Sequence, residues 1–152
     1  YVIFNGVNRN PFSGSLAWTI ERRLDATVMD RAAEVFTGTN DFSALKAAAD
    51  IRPDPTVHIY DARVERQGDW VFFQVLGHRF LYNMVRNMLG ALVKVGSGEW
   101  DPEILREKLR SGDRTQMGMT APAHGLHLVK VYFEEPIHFE PNDHLERILG
   151  VR

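Results

Sequence analysis

Asn83, Arg86, Asn87, Gly90 and Lys94 recur at intervals of three and four residues inside an otherwise apolar stretch, Phe80-Leu81-Tyr82-Asn83-Met84-Val85-Arg86-Asn87-Met88-Leu89-Gly90. At that spacing they share one narrow face of a helix. A charge on a mostly buried helix requires a partner or solvent. The planar fork of Arg86 suits a carboxylate or a phosphate. Gly90 lowers helix stability by about 1 kcal/mol relative to alanine, a cost that is offset where another backbone or a ligand approaches closely. The same pattern also fits the solvent stripe of a packed helix, and the residues alone favour that simpler reading.

A second group runs from Asp113-Arg114-Thr115 to Thr120-Ala121-Pro122-Ala123-His124-Gly125-Leu126-His127-Leu128. A loop of small residues entering a strand can bring backbone groups beside a ligand. Leu126 and Leu128 read more simply as core. Phe72 and Phe73 invite comparison with the base-stacking strand of RNA-recognition domains, but the basic-glycine-aromatic signature is missing, so both read as core. His124 and His127 stand three apart at a loop-to-strand junction, without acidic or cysteine ligands at metal spacing, so no metal site is expected. There is no phosphate-cradling glycine loop, hydrolase elbow or Cys–His pair. Arg22-Arg23 offers at most a weak RNA contact.

The elements that must position these residues follow from patterning. The 152 residues suffice for one domain with a sizeable core. With 44% hydrophobic and 25% charged residues the balance is that of a soluble globular protein, and no apolar run approaches the length of a membrane span. The absence of cysteine excludes disulfides and thiolate metal sites. A formal net charge of −2 argues against a wholly basic nucleic-acid binder, but not against a local basic groove. Tyr1 to Asn5 reads as a strand and not as a secretory leader, and a chain opening in this way is expected to be a piece of a longer protein. Gly6 to Ser15 reads as loop. Asp25 can cap a helix to about Thr37. Asn40 to Ser43 is read as a turn or short helix, and Ile51 to Pro55 is broken by two prolines. Val57–Arg66 and Trp70–Gly77, joined by Gln67-Gly68-Asp69, predict a hairpin. The apolar positions Leu81, Met84, Met88, Leu92 and Val95 predict a buried helix over about Phe80–Val95. Asp101-Pro102 starts another helix, which Gly112 stops. A last strand is expected from Leu126 to Phe133. Residues 134–152 read as a tail with a short helix at 144–149. The order βαββαβ, with one inserted helix, predicts a ferredoxin-like α+β sandwich with an antiparallel sheet and helices on one face.

Taken in order, these segments resemble the TruA family of tRNA pseudouridine synthases. Phe80 to Asn87, with Leu89-Gly90-Ala91-Leu92 and Val95-Gly96, is similar to the family's signature helix. Asp113-Arg114-Thr115, Thr120 to Leu126 and Leu128-Val129-Lys130-Val131 are similar to its closing segment. Asn40-Asp41-Phe42-Ser43 resembles its Asp-Phe-Ser element, and Tyr1 to Asn5 the strand that opens its second half. The resemblance runs from Tyr1 to about Tyr132, so residues 1–133 are identified with the family's C-terminal half.

The resemblance implies an enzyme that isomerises uridine to pseudouridine in the tRNA anticodon stem-loop, without metal or organic cofactor. It implies a homodimer in the full-length form, a basic cleft between two similar halves, and work in the cytoplasm, an organelle being left open. The target nucleotide is flipped into the site, an aspartate attacks, and the base detaches, turns and rejoins the ribose through carbon 5. By the same resemblance, Arg86 pairs with the catalytic aspartate and Leu126 packs on the flipped uracil. Phe80, Phe42, Asn83 and Asn87 are expected to border the substrate. The family's Arg-Thr-Asp-Gly-like motif, which carries the nucleophile, occurs nowhere in these residues, and its base-stacking tyrosine would stand two positions before Tyr1. Leu45-Lys46 replaces its usual Phe-Arg. The chain is therefore expected to lack activity alone, to need the missing N-terminal half, and to self-associate through apolar surface beside Arg86. The alternative is a non-catalytic RNA-binding domain on the same fold.

Overall fold

The structure, a computed structural model, describes residues 1–7, 14–134 and 137. The expected short helix at 144–149 lies outside the described residues, as does part of the 6–15 loop. A five-stranded sheet runs in the order β2-β1-β5-β4-β3, with β1 Val2–Phe4, β2 Trp18–Thr19, β3 Gly38–Asp41, β4 Thr56–Gln67 and β5 Trp70–Gly77. Its helices are α1 Ala26–Ala33, α2 Met84–Gly96 and α3 Pro102–Ser111.

The β4–β5 hairpin forms as its pattern predicts, with Gln67 opposite Trp70 and Gly68 at positive φ in the turn. Alternation along β5 divides the apolar side chains between two faces. Val71 and Phe73 join α1 and α2 in the main core, with Met29, Phe36, Met84, Met88 and Leu92. Phe72 points the other way and packs with Val2, Phe4 and Ala17. Both phenylalanines are thus core, not stacking platforms.

Asp25 caps α1, its Oδ1 accepting from the backbone N–H groups of Thr27 and Val28 at 3.0 and 3.1 Å. Asp101 caps α3, with Pro102 in the first turn and Gly112 closing it in the left-handed region.

Several expectations need correction. Asn40-Asp41 lies in β3 and not in a turn, and a short 3-10 turn follows at Ser43–Leu45. The α2 helix starts at Met84, because Asn83 at φ 60° breaks the helical path. Leu126–Phe133 forms no strand among the described residues. The edge beside β1 is held by β2, which pairs with it in parallel, so the sheet is mixed and not wholly antiparallel. The chain before Leu126 turns at Ala123–Gly125, and His124 and His127 bond the carbonyls of Ala17 and Leu16 at 3.1 and 2.9 Å. These side-chain ties anchor the segment without laying its backbone on the sheet. Leu126, Leu128, Val129, Val131 and Phe133 are consequently exposed, where Leu126 and Leu128 had read as core.

Candidate active site

Arg86 lies in the first turn of α2, half-buried, where the loop 118–122 crosses the helix. The crossing is close because position 90 is glycine: a Cβ there would stand 1.9 Å from the Met119 carbonyl oxygen. The Ala121 N–H then reaches the Arg86 carbonyl at 3.1 Å, and Arg86 Nε donates to the Ala121 carbonyl at 2.7 Å. Arg86 Nη1 donates to Asn83 Oδ1 at 2.9 Å. Two of the five guanidinium N–H groups are held in this way, both by neutral oxygens. No carboxylate lies within salt-bridge distance of Arg86 among the described residues. With no carboxylate beside it among the described residues, the half-buried guanidinium keeps an edge whose geometry suits an anion.

The loop is fixed from beneath by Asn87. Its side-chain amide donates to the Leu45 carbonyl at 2.7 Å, and its oxygen accepts from Thr120 Oγ1 at 2.6 Å and Arg114 Nη2 at 3.1 Å. Arg114 also donates to Thr120 Oγ1 at 3.0 Å and to the Gly118 carbonyl at 3.3 Å. Asn87 is 1% exposed, and here it ties the loop to Leu45 and presents no open surface. Phe42 is sealed in the core and offers a substrate no surface either. Phe80 is half-buried, its ring 3.3 Å from where a Cβ at Gly77 would stand.

On the far side of the loop, the Tyr1 hydroxyl donates to the Pro122 carbonyl at 2.5 Å, and Gly125 leaves room for the Tyr1 ring 2.5 Å from where a Cβ would be. Burial pushes the Tyr1 phenol up to about 12, while the nearby positive charge of Arg86 pulls it down. Leu126 follows this turn, 41% exposed. The structure therefore brings Arg86 and Asn83 into contact, with Leu126 open on the same loop, and withdraws Asn87 and Phe42. Asn83 itself is in the left-handed region, which costs an L residue on the order of 1 kcal/mol and which asparagine tolerates better than most.

One functional group escaped the sequence reading. Asp50 accepts from Arg52 Nε at 2.8 Å and from the Tyr82 N–H at 2.7 Å, while Arg52 Nη1 donates to the Phe80 carbonyl at 3.0 Å. This ion pair clamps the 80–82 segment that delivers Asn83 and Arg86. The Arg52 guanidinium, helped by the Tyr82 N–H, holds the Asp50 carboxyl well below the usual carboxylate range. Asp50 is thus fully committed within the chain and is not an available nucleophile. An open groove of about 590 Å³ lies elsewhere, between Asn40-Asp41 and the Arg106–Gly112 end of α3, and none of the Arg86 loop lines it. Among the described residues no group of three or more His, Cys, Asp or Glu is placed to hold a metal, and no helix is long and apolar enough to cross a membrane.

A family model described as tRNA pseudouridine synthase matches residues 32–134. The chain belongs to the tRNA pseudouridine synthase family. Its similarity extends to "tRNA pseudouridine synthase A" of Thermotoga neapolitana, 42% identical over 134 residues, which are 88% of this chain and 54% of the relative. The protein of the same name from Francisella tularensis subsp. novicida is 38% identical over 136 residues, 89% of this chain and 52% of its own length. The chain spans about half the length of the curated relatives it matches. The matched region of the family includes α2, the 113–125 loop and Leu126, so the Arg86 cluster falls inside it. Tyr1, whose hydroxyl holds Pro122, lies before the region that the family model matches.

Proposed function

We propose that this chain forms one half of an enzyme that isomerises uridine to pseudouridine in the anticodon stem-loop of tRNA. The observation that carries the reading is Arg86, half-buried, oriented by two neutral oxygens and without a carboxylate among the described residues. Its missing counter-ion is the catalytic aspartate, contributed by a segment outside these residues. A cation beside a carboxylate favours the ionised, nucleophilic form. The aspartate opens the reaction, the bond from ribose C1′ to N1 breaks, and the uracil turns. A bond from C1′ to C5 then forms, the C5 hydrogen leaves to solvent, and N1 gains a proton. Nothing is gained or lost overall, so the reaction needs no redox partner or second substrate.

Leu126, exposed on the loop that Arg86 grips, is proposed as the apolar surface on which the flipped uracil rests. Flipping costs a few kcal/mol in lost stacking, which such contacts help offset. The exposed apolar side chains Tyr82, Met119 and Leu126 support a covered face here, which we assign to the enzyme's other half. The working form is proposed to be a homodimer in the cytoplasm.

Tritium release from C5 of uracil in unmodified tRNA tests the reading, with the complete natural protein and this chain assayed side by side. The complete protein is expected to release tritium and the chain alone to release none. Release by the chain alone would refute the divided site. Salt-sensitive tRNA binding by a complete protein that releases no tritium would instead favour a non-catalytic RNA-binding domain.

A further inference from the structure

Asn83 occupies the cap position of α2, yet its side chain makes no capping bond. Side-chain oxygens at such positions ordinarily accept from the first free helical N–H groups. Here Oδ1 instead accepts from Arg86 Nη1 at 2.9 Å, three residues along the chain. It is the one non-glycine residue at positive φ among the described residues. Three demands therefore meet at this position. The backbone must tolerate the left-handed region, the side chain must accept a hydrogen bond, and the acceptor must be neutral. Glycine meets the first, aspartate the first two, and asparagine all three.

Neutrality is the demand that points to function. Arg52 shows the alternative outcome nearby: paired with the Asp50 carboxylate, its charge is consumed inside the chain. Among the described residues, Arg86 is bonded by uncharged acceptors, the Ala121 carbonyl and the Asn83 carboxamide. Resting on the isomerase reading, we propose that Asn83 is a positioning residue that aims Arg86 while leaving its charge available to the external carboxylate. An aspartate at the same place would put a carboxylate oxygen where Asn83 Oδ1 now meets Arg86 Nη1 and form an internal pair. It would compete with the acid that Arg86 has to hold.

The test compares Asn83→Asp with Asn83→Gly. In the complete protein, Asn83→Gly removes one hydrogen bond and is expected to lower kcat by about tenfold or less. Asn83→Asp is expected to lower it by about a hundredfold, the larger effect of misdirecting a charge-assisted pair. A residue serving only the backbone or the cap predicts the reverse order, since aspartate caps and accepts while glycine does neither. A second readout needs no activity: phenylglyoxal labelling of Arg86 in this chain, followed by peptide mass spectrometry. Labelling should be fast in the parent and in Asn83→Gly, and several-fold slower in Asn83→Asp. Asn83→Asp matching Asn83→Gly in kcat, labelling at the parent rate, or failing to fold would each overturn the proposal. A parent protein without tritium release would sink the isomerase reading and leave the labelling rates to decide this one.

Discussion

Two arginines flank the segment 80–86, and the chain treats them in opposite ways. Arg52 is paired: it forks onto Asp50, whose side chain is 3% exposed, and its Nη1 donates to the Phe80 carbonyl. Arg86 is open: it is steered by Ala121 and Asn83, both neutral, and keeps three N–H groups uncommitted among the described residues. Arg52 is matched by a buried carboxylate within the same chain, whereas Arg66 and Arg114 tie segments together through neutral oxygens. Arg86 is likewise oriented by groups that leave its charge in place, and differs from Arg66 and Arg114 in keeping most of its N–H groups uncommitted among the described residues. The difference places Arg52 in the framework and supports the proposed role of Arg86 in the chemistry.

The comparison is broken most sharply by removing Arg86. Arg86→Ala in the complete protein is expected to lower the rate of tritium release by about a thousandfold or more, on the scale of losing a preorganised electrostatic contact. Folding stability should fall by only about 1 kcal/mol, the value of its hydrogen bonds, measured by urea denaturation. The Gly90→Ala variant attacks the loop from below. Its Cβ would overlap the Met119 carbonyl, so stability is expected to drop by about 1–3 kcal/mol, with the 118–122 loop displaced and turnover reduced. Asn87→Ala leaves the Leu45 carbonyl and Thr120 without their partner, for an expected loss of about 1–3 kcal/mol in the same denaturation experiment. The smallest effect concerns Arg52. Because Asp50 titrates lower in the folded chain than when unfolded, the pair stabilises fully above the unfolded carboxylate pKa, and that stability is lost progressively as pH falls from there through the lower folded pKa. A thermal series from pH 6 down to pH 3 should therefore show a smaller drop in Tm for Asp50→Asn than for the parent.

Much of the framework was legible because local signals agreed with one another. Asp25 and Asp101 cap the helices they were expected to cap, Gly68 turns the hairpin, and Gly90 admits a second backbone. The misses have physical causes. Asp50 and Arg52 sit two apart in a proline-broken segment, a setting that reads as exposed loop, and only the docking of Phe80–Tyr82 buries the carboxylate. Leu126–Phe133 has strand composition, but its edge on β1 is occupied by Trp18–Thr19, and His127, like His124 before it, is tied to a carbonyl. Asn83 looked like one more residue on a helical stripe, because side-chain spacing carries no record of φ. Asn87 looked exposed for the same reason, although three separate segments converge on its amide.

The most direct test of the open arginine is a pair of lysine substitutions, Arg86→Lys and Arg52→Lys, in the complete protein. Single-turnover tritium release and urea stability would be measured for both. Lysine keeps the charge and loses the fork, so Arg86→Lys is expected to lose about a hundredfold in rate while staying within about 1 kcal/mol of the parent in stability. Arg52→Lys is expected to lose stability and, once folded, to turn over within a few-fold of the parent. The reverse pattern, with Arg86→Lys active but unstable and Arg52→Lys stable but inactive, would contradict the assignment of Arg86 to the reaction.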